Sequence, residues 1–93
     1  MILFFDTSAL IKRYISERGS EKVDELYNMA TQILVSAITK TESYSTLRRL
    51  RAENHLSRKD YNSIKTNIEK DFQYFVVIPF IYEIESSAIK LIE

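Results

Sequence analysis

The sequence has no cysteine, a single glycine, a single proline and a single histidine in 93 residues. Without cysteine there is no disulfide framework and no thiolate metal site. With His55 the lone imidazole, a histidine cluster for zinc is excluded too. So few glycines and prolines imply rigid connections, and there is no low-complexity tract, repeat or linker. Net charge is also missing: 13 basic and 13 acidic residues cancel. Overall charge therefore selects neither nucleic acid nor membrane, and attraction to either has to come from a local patch. The apolar start Met1–Phe5 is far short of the roughly 20 residues a membrane span needs and lacks the basic lead of a signal peptide. The expectation is a cytoplasmic protein with no membrane partner.

What is present is a hydrophobic fraction of 45%, ample for one packed core and arguing against disorder. Residues 1–93 are read as a single domain. Three apolar runs, Ile2–Phe5, Ile33–Val35 and Phe75–Ile78, are continuous rather than alternating, as in strands of a parallel sheet buried on both faces. Between them lie helical stripes. Val23, Leu26, Tyr27 and Ala30 form one, Tyr61, Ile64, Ile68 and Phe72 another, and a less regular helix is predicted from about Thr39 to Glu53. A further stripe, Ile81, Ile84, Ala88, Leu91 and Ile92, predicts a helix running to Glu93. Ser57 to Asp60 has the form of a capped helix start. The order β-α-α-β-α-α-β-α predicts an α/β fold with a parallel sheet and helices on its faces.

Two places carry candidate chemistry. Phe5-Asp6-Thr7-Ser8-Ala9-Leu10 sets a carboxylate and two hydroxyls at the carboxyl end of a strand, where open α/β sheets bind their ligands. The same residues are preferred helix caps. Ser36-Ala37-Ile38-Thr39-Lys40-Thr41-Glu42 repeats the arrangement, and Thr39-x-x-Glu42 also fits a capping box. Two acids at one edge of adjacent parallel strands repel unless a proton or cation lies between them. Mg²⁺ is held by one or two carboxylates with water and phosphate oxygens.

The run Met1-Ile-Leu-Phe-Phe-Asp6-Thr7-Ser8-Ala9-Leu10-Ile-Lys-Arg-Tyr resembles the opening of a PIN domain of the VapC toxin type. Val35-Ser36-x-x-Thr39-x-x-Glu42 resembles that family's second signature, at a similar spacing. The resemblance implies a three-layer α/β/α fold and endoribonuclease activity dependent on Mg²⁺ or Mn²⁺. Asp6 and Glu42 would be the catalytic metal ligands, supported by Thr7, Ser8 and Thr39. It further implies the toxin half of a type II toxin–antitoxin pair, with RNA as substrate and a cognate antitoxin as partner. Such domains carry a third acid on a later helix and often a fourth beyond it. This sequence ends at Glu93, so neither Glu83 nor Glu85 is assigned as a ligand. The expectation is the front portion of a PIN domain with a three-stranded sheet, incomplete at its C-terminus. In that arrangement Ile2–Phe5 becomes an open sheet edge, which predicts a homodimer or a covering partner. The alternative is an inactive remnant that binds or self-associates, with an antitoxin groove lined by Val23, Leu26 and Tyr27.

The remaining candidates are basic. Lys12-Arg13 and Arg48-Arg49-Leu50-Arg51 are local cation clusters suited to RNA phosphates, and equally to a solvated helix face. His55 is read as a surface residue.

Overall fold

A computed structural model describes residues 1–79 and 89–92. β1 (Ile2–Phe5) leads into a short helix α1 (Thr7–Ile11), then α2 (Ser20–Met29) and β2 (Gln32–Ser36). The helices α3 (Thr39–Ala52) and α4 (Arg58–Phe72) connect β2 to β3 (Val76–Ile78), and β4 (Ile89–Ile92) completes the sheet. The strand order is β3-β2-β1-β4. β1 and β2 run parallel with Phe5 opposite Val35, and β2 and β3 run parallel with Ser36 opposite Ile78. The expected α/β architecture with three parallel strands is therefore present.

β1 is buried along its apolar length, with Leu3 2%, Phe4 5% and Phe5 0% exposed. Successive side chains of a strand point to opposite faces, so burial of all three means cover on both sides. Leu3 and Phe5 share one core with Val35, Leu10 and Val23. Aromatic rings tie that core to the end of α4: Phe5 lies 6.3 Å from Tyr27, Tyr27 lies 6.2 Å from Phe75, and Phe75 lies 5.1 Å from Phe72. Val23 is 4% exposed, and Leu26 and Tyr27 pack against the same core. The stripe proposed to line an antitoxin groove is thus turned inward, because it is the face that α2 uses to cover the sheet. Gly19, at φ +93°, starts α2 in a backbone region that costs other residues a clash. Its place against Lys12 Cε, 3.2 Å from where a Cβ would stand, leaves little room for one.

Two expectations are corrected. The helix predicted over Ile81–Glu93 is not what Ile89–Ile92 form: they are a strand antiparallel to β1, with Ile2 opposite Ile92 and Phe5 opposite Ile89. The rest of that predicted helix lies outside the described residues. A short apolar run serves strand and helix alike. Here the backbone groups on the far side of β1 supply partners that decide for strand. It follows that Ile2–Phe5 is an interior strand, and the open edge that motivated self-association across it does not exist. β3, at the sheet's end, departs from two-sided burial, with Val76 40% and Val77 48% exposed. Among the described residues no helix is long and apolar enough to cross a membrane.

Candidate active site

The end of β1 delivers Asp6 in an extended conformation (φ −81°, ψ 175°) as the cap of α1. Its Oδ1 accepts the Ala9 backbone N–H at 2.9 Å and the Ser8 hydroxyl at 3.0 Å. The capping role read from the sequence is therefore real, and it employs one carboxylate oxygen. Among the described residues no hydrogen bond goes to the other, so the cap is made through Oδ1 alone.

Glu42 reaches the same place from α3. The Thr7 hydroxyl donates to Glu42 Oε1 at 2.6 Å, linking residues 35 apart in sequence. This settles the competing reading of Thr39 and Glu42. α3 is capped at Ile38 with no side-chain cap bond, so the capping box does not form and the Glu42 carboxylate faces Thr7 instead. Thr39 is 1% exposed. It is one of the buried residues of α3, at the start of the helix. Two parallel neighbours, β1 and β2, end side by side, and the helices after them bring Asp6, Thr7, Ser8 and Glu42 to one edge.

The donor set is all oxygen: two carboxylates and two hydroxyls. Hard divalent cations such as Mg²⁺ and Mn²⁺ take such ligands, using one or two carboxylates and filling the remaining positions with water and phosphate oxygens. Asp6 and Glu42 fit that description. No group of three or more acidic, histidine or cysteine residues gathers among the described residues. Glu83 and Glu85 lie outside the described residues.

The basic candidates separate. Lys12 pairs with Glu17 at 3.2 Å. Arg13 pairs with Asp24 at 3.3 Å and stacks over the Tyr27 ring at 4.5 Å. Both are engaged near α2 by contacts that hold the fold. Arg48 donates to the Ser45 hydroxyl at 3.1 Å, and Arg51 to the Leu56 carbonyl at 3.4 Å. Arg48, Arg49 and His55 are exposed. Two further exposed cations, Arg58 and Lys59, open α4 across the turn that follows α3. They were passed over because the turn of residues 53–57 separates them from the arginine run, although the short spacing from Arg51 was a usable signal.

Compared with known families, residues 3–93 match the one described as PIN domain. No curated protein matches the chain.

Proposed function

Because the chain belongs to the PIN domain family, we propose that it is a divalent-metal-dependent endoribonuclease of the VapC kind, the toxin of a type II toxin–antitoxin pair. Family membership supports nuclease-type chemistry. The observation that carries the assignment to particular residues is the Thr7–Glu42 hydrogen bond, which joins the two acid-bearing signatures at one edge.

Asp6 and Glu42 hold the cation in this reading. When bound there, Mg²⁺ or Mn²⁺ would supply polarisation of the phosphate and a lowered pKa for water. The protein's own residues provide the frame. Ser8 and the Ala9 N–H fix one oxygen of Asp6 and so aim the other. Thr7 fixes Glu42 through one oxygen. Such outer partners set ligand orientation, and losing one typically costs 10- to 100-fold in metal affinity or activity. A cognate antitoxin is the proposed partner, and expression that arrests growth unless the adjacent gene is co-expressed is the outcome expected of such a pair.

The test is Asp6→Asn. Asparagine caps a helix as well as aspartate does, so the fold is retained while an anionic ligand is lost. RNA cleavage in Mg²⁺ or Mn²⁺ is expected to disappear with the circular dichroism spectrum unchanged. Cleavage at the wild-type rate would overturn the assignment.

A further inference from the structure

Residues three, four and seven apart share one side of an α-helix. On α3 that places Ser45, Thr46 and Arg49 on the side that presents Glu42. Glu42, Ser45 and Arg49 are exposed, whereas Thr39, Ser43 and Leu47 are the buried positions of the same helix. Arg48 is drawn toward the exposed side by its bond to Ser45. At 1.5 Å per residue, Arg49 stands roughly 10 Å along the axis from Glu42, a length that a few nucleotides span.

The exposed side of α3 leads to the α3–α4 tip. Five cations, Arg48, Arg49, Arg51, Arg58 and Lys59, fall between positions 48 and 60 against two acids, Glu53 and Asp60, a local charge of +3 in a chain that sums to zero. The remainder of the chain therefore carries −3. The ion pairs among the described residues, Lys12–Glu17 and Arg13–Asp24, lie elsewhere. The tip is also stiff. Asn54 takes a left-handed conformation at φ 61°, the His55 N–H bonds the Leu50 carbonyl at 2.8 Å, and Ser57 Oγ caps α4 at the Asp60 N–H, 3.0 Å away. Cations on a fixed frame lose less freedom on meeting a polyanion than cations on a mobile loop.

A purely structural account covers part of this set. Arg49 and Arg51 lie in the last turn of α3, where cations complement the helix dipole. Arg58 and Lys59 are in the first turn of α4, where the same dipole disfavours positive charge. Their presence works against the helix, and a bound anion would reverse that.

We infer that α3 is a phosphate track: an RNA strand with its scissile phosphate at Asp6 and Glu42 runs along the exposed side of α3, its neighbouring phosphates held by Arg49 and Arg48, and Arg58 and Lys59 close the track at the tip. The position of the cut rests on the nuclease reading above. The affinity of the tip for the strand does not.

The experiment measures binding of a fluorescent single-stranded RNA oligonucleotide by anisotropy, in EDTA and over a range of KCl, so that no cleavage intervenes. Arg48→Gln with Arg49→Gln is expected to weaken binding about tenfold and to lower the slope of log affinity against log salt by about 1.4, two phosphate contacts on a single strand. Arg48→Lys with Arg49→Lys is expected to restore most of it. Arg18→Gln with Lys22→Gln, which removes the same charge from exposed positions around the start of α2, is expected to stay within twofold of wild type. Wild-type affinity and slope in the Arg48/Arg49 glutamine variant, equal weakening in both glutamine pairs, or no binding by the wild type would each overturn the track. Asp6→Asn separates the two readings: if it binds like wild type and still cleaves in Mg²⁺, the site assignment fails while the track stands.

Discussion

Asp6 caps α1 through one carboxylate oxygen, which leaves the second outside the cap. A cap and a metal ligand look like competing explanations of the same Asp-Thr-Ser sequence, but Oδ1 satisfies the Ala9 N–H and the Ser8 hydroxyl while Oδ2 remains for other chemistry. Thr7 is the residue whose importance lies in a contact across the fold. Thr7→Val removes its donor to Glu42 at little cost in volume. Cleavage is expected to fall 10- to 100-fold, the usual range for an outer partner of a ligand, and to recover partly at higher Mn²⁺. Unchanged metal dependence would show that Glu42 needs no such support. Ser43 offers a separate test. It is 0% exposed and its hydroxyl has no hydrogen-bond partner among the described residues. A buried hydroxyl left unpaired costs about 1–3 kcal/mol, and alanine is the better helix former. Ser43→Ala is therefore expected to raise stability by about 1 kcal/mol, read as a higher midpoint in urea unfolding. A lower midpoint would mean that the hydroxyl is satisfied after all.

At the scale of elements, the turn after α1 is fastened to the far end of α4 by the Tyr14 hydroxyl, which donates to Asp71 Oδ2 at 2.7 Å. Burial, then the bonded Asp71 carboxylate, pushes the Tyr14 phenol well above its ordinary value of 10.0. The sign follows directly. The unfolded phenol ionises near 10 and the folded one resists, so this contribution to stability is intact below pH 10 and is lost as pH rises beyond it. Tyr14→Phe is expected to lower stability at pH 7 by about 1.5 kcal/mol, the low end for a bond to a charged acceptor. It should also flatten the alkaline decline by up to about 1.4 kcal/mol per pH unit, one proton's worth. A residual decline is expected from Tyr27, which burial raises in the same direction. Denaturant midpoints between pH 7 and 11 check both parts, and an identical alkaline slope in the two proteins would refute the second.

For the whole molecule, a cation bound at the sheet edge stabilises the folded state by mass action. At a metal concentration ten times Kd the gain is about 1.4 kcal/mol, which for a domain of this size raises the melting temperature by roughly 6–11 °C. That rise is expected with Mn²⁺ or Mg²⁺, is reversed by EDTA, and is absent in Asp6→Asn. A rise of the same size in the variant would place the cation elsewhere. Asp6 follows β1 and Glu42 lies on α3, which follows β2, so in the proposed site the two acids meet only when β1 and β2 pair in register. Disturbing that pairing is expected to remove metal binding and folding together.

Periodicity and punctuation alone carried the three parallel strands, the α3–α4 pair and the capped start at Ser57. These are local choices, made by side-chain spacing and by backbone groups that need partners close by. The expectation that Asp6 and Glu42 share one edge came from the same kind of signal, since each acid follows an apolar strand and parallel neighbours align their ends; the contact the structure shows between those segments is the Thr7–Glu42 hydrogen bond. Other features belong to the tertiary structure. Ile89–Ile92 became a strand because β1 offered an unfilled row of backbone partners, which a local apolar pattern does not reveal. Thr39 turned inward and Glu42 turned to Thr7, because packing of α3 rather than the capping box oriented its first turn. Tyr14 found Asp71 57 positions away. Lys12 and Arg13 were taken up by acids near α2, while Arg48, Arg49, Arg58 and Lys59 of the α3–α4 tip stayed exposed. Which charges are neutralised within the fold and which face solvent depends on distances that spacing along the chain does not specify.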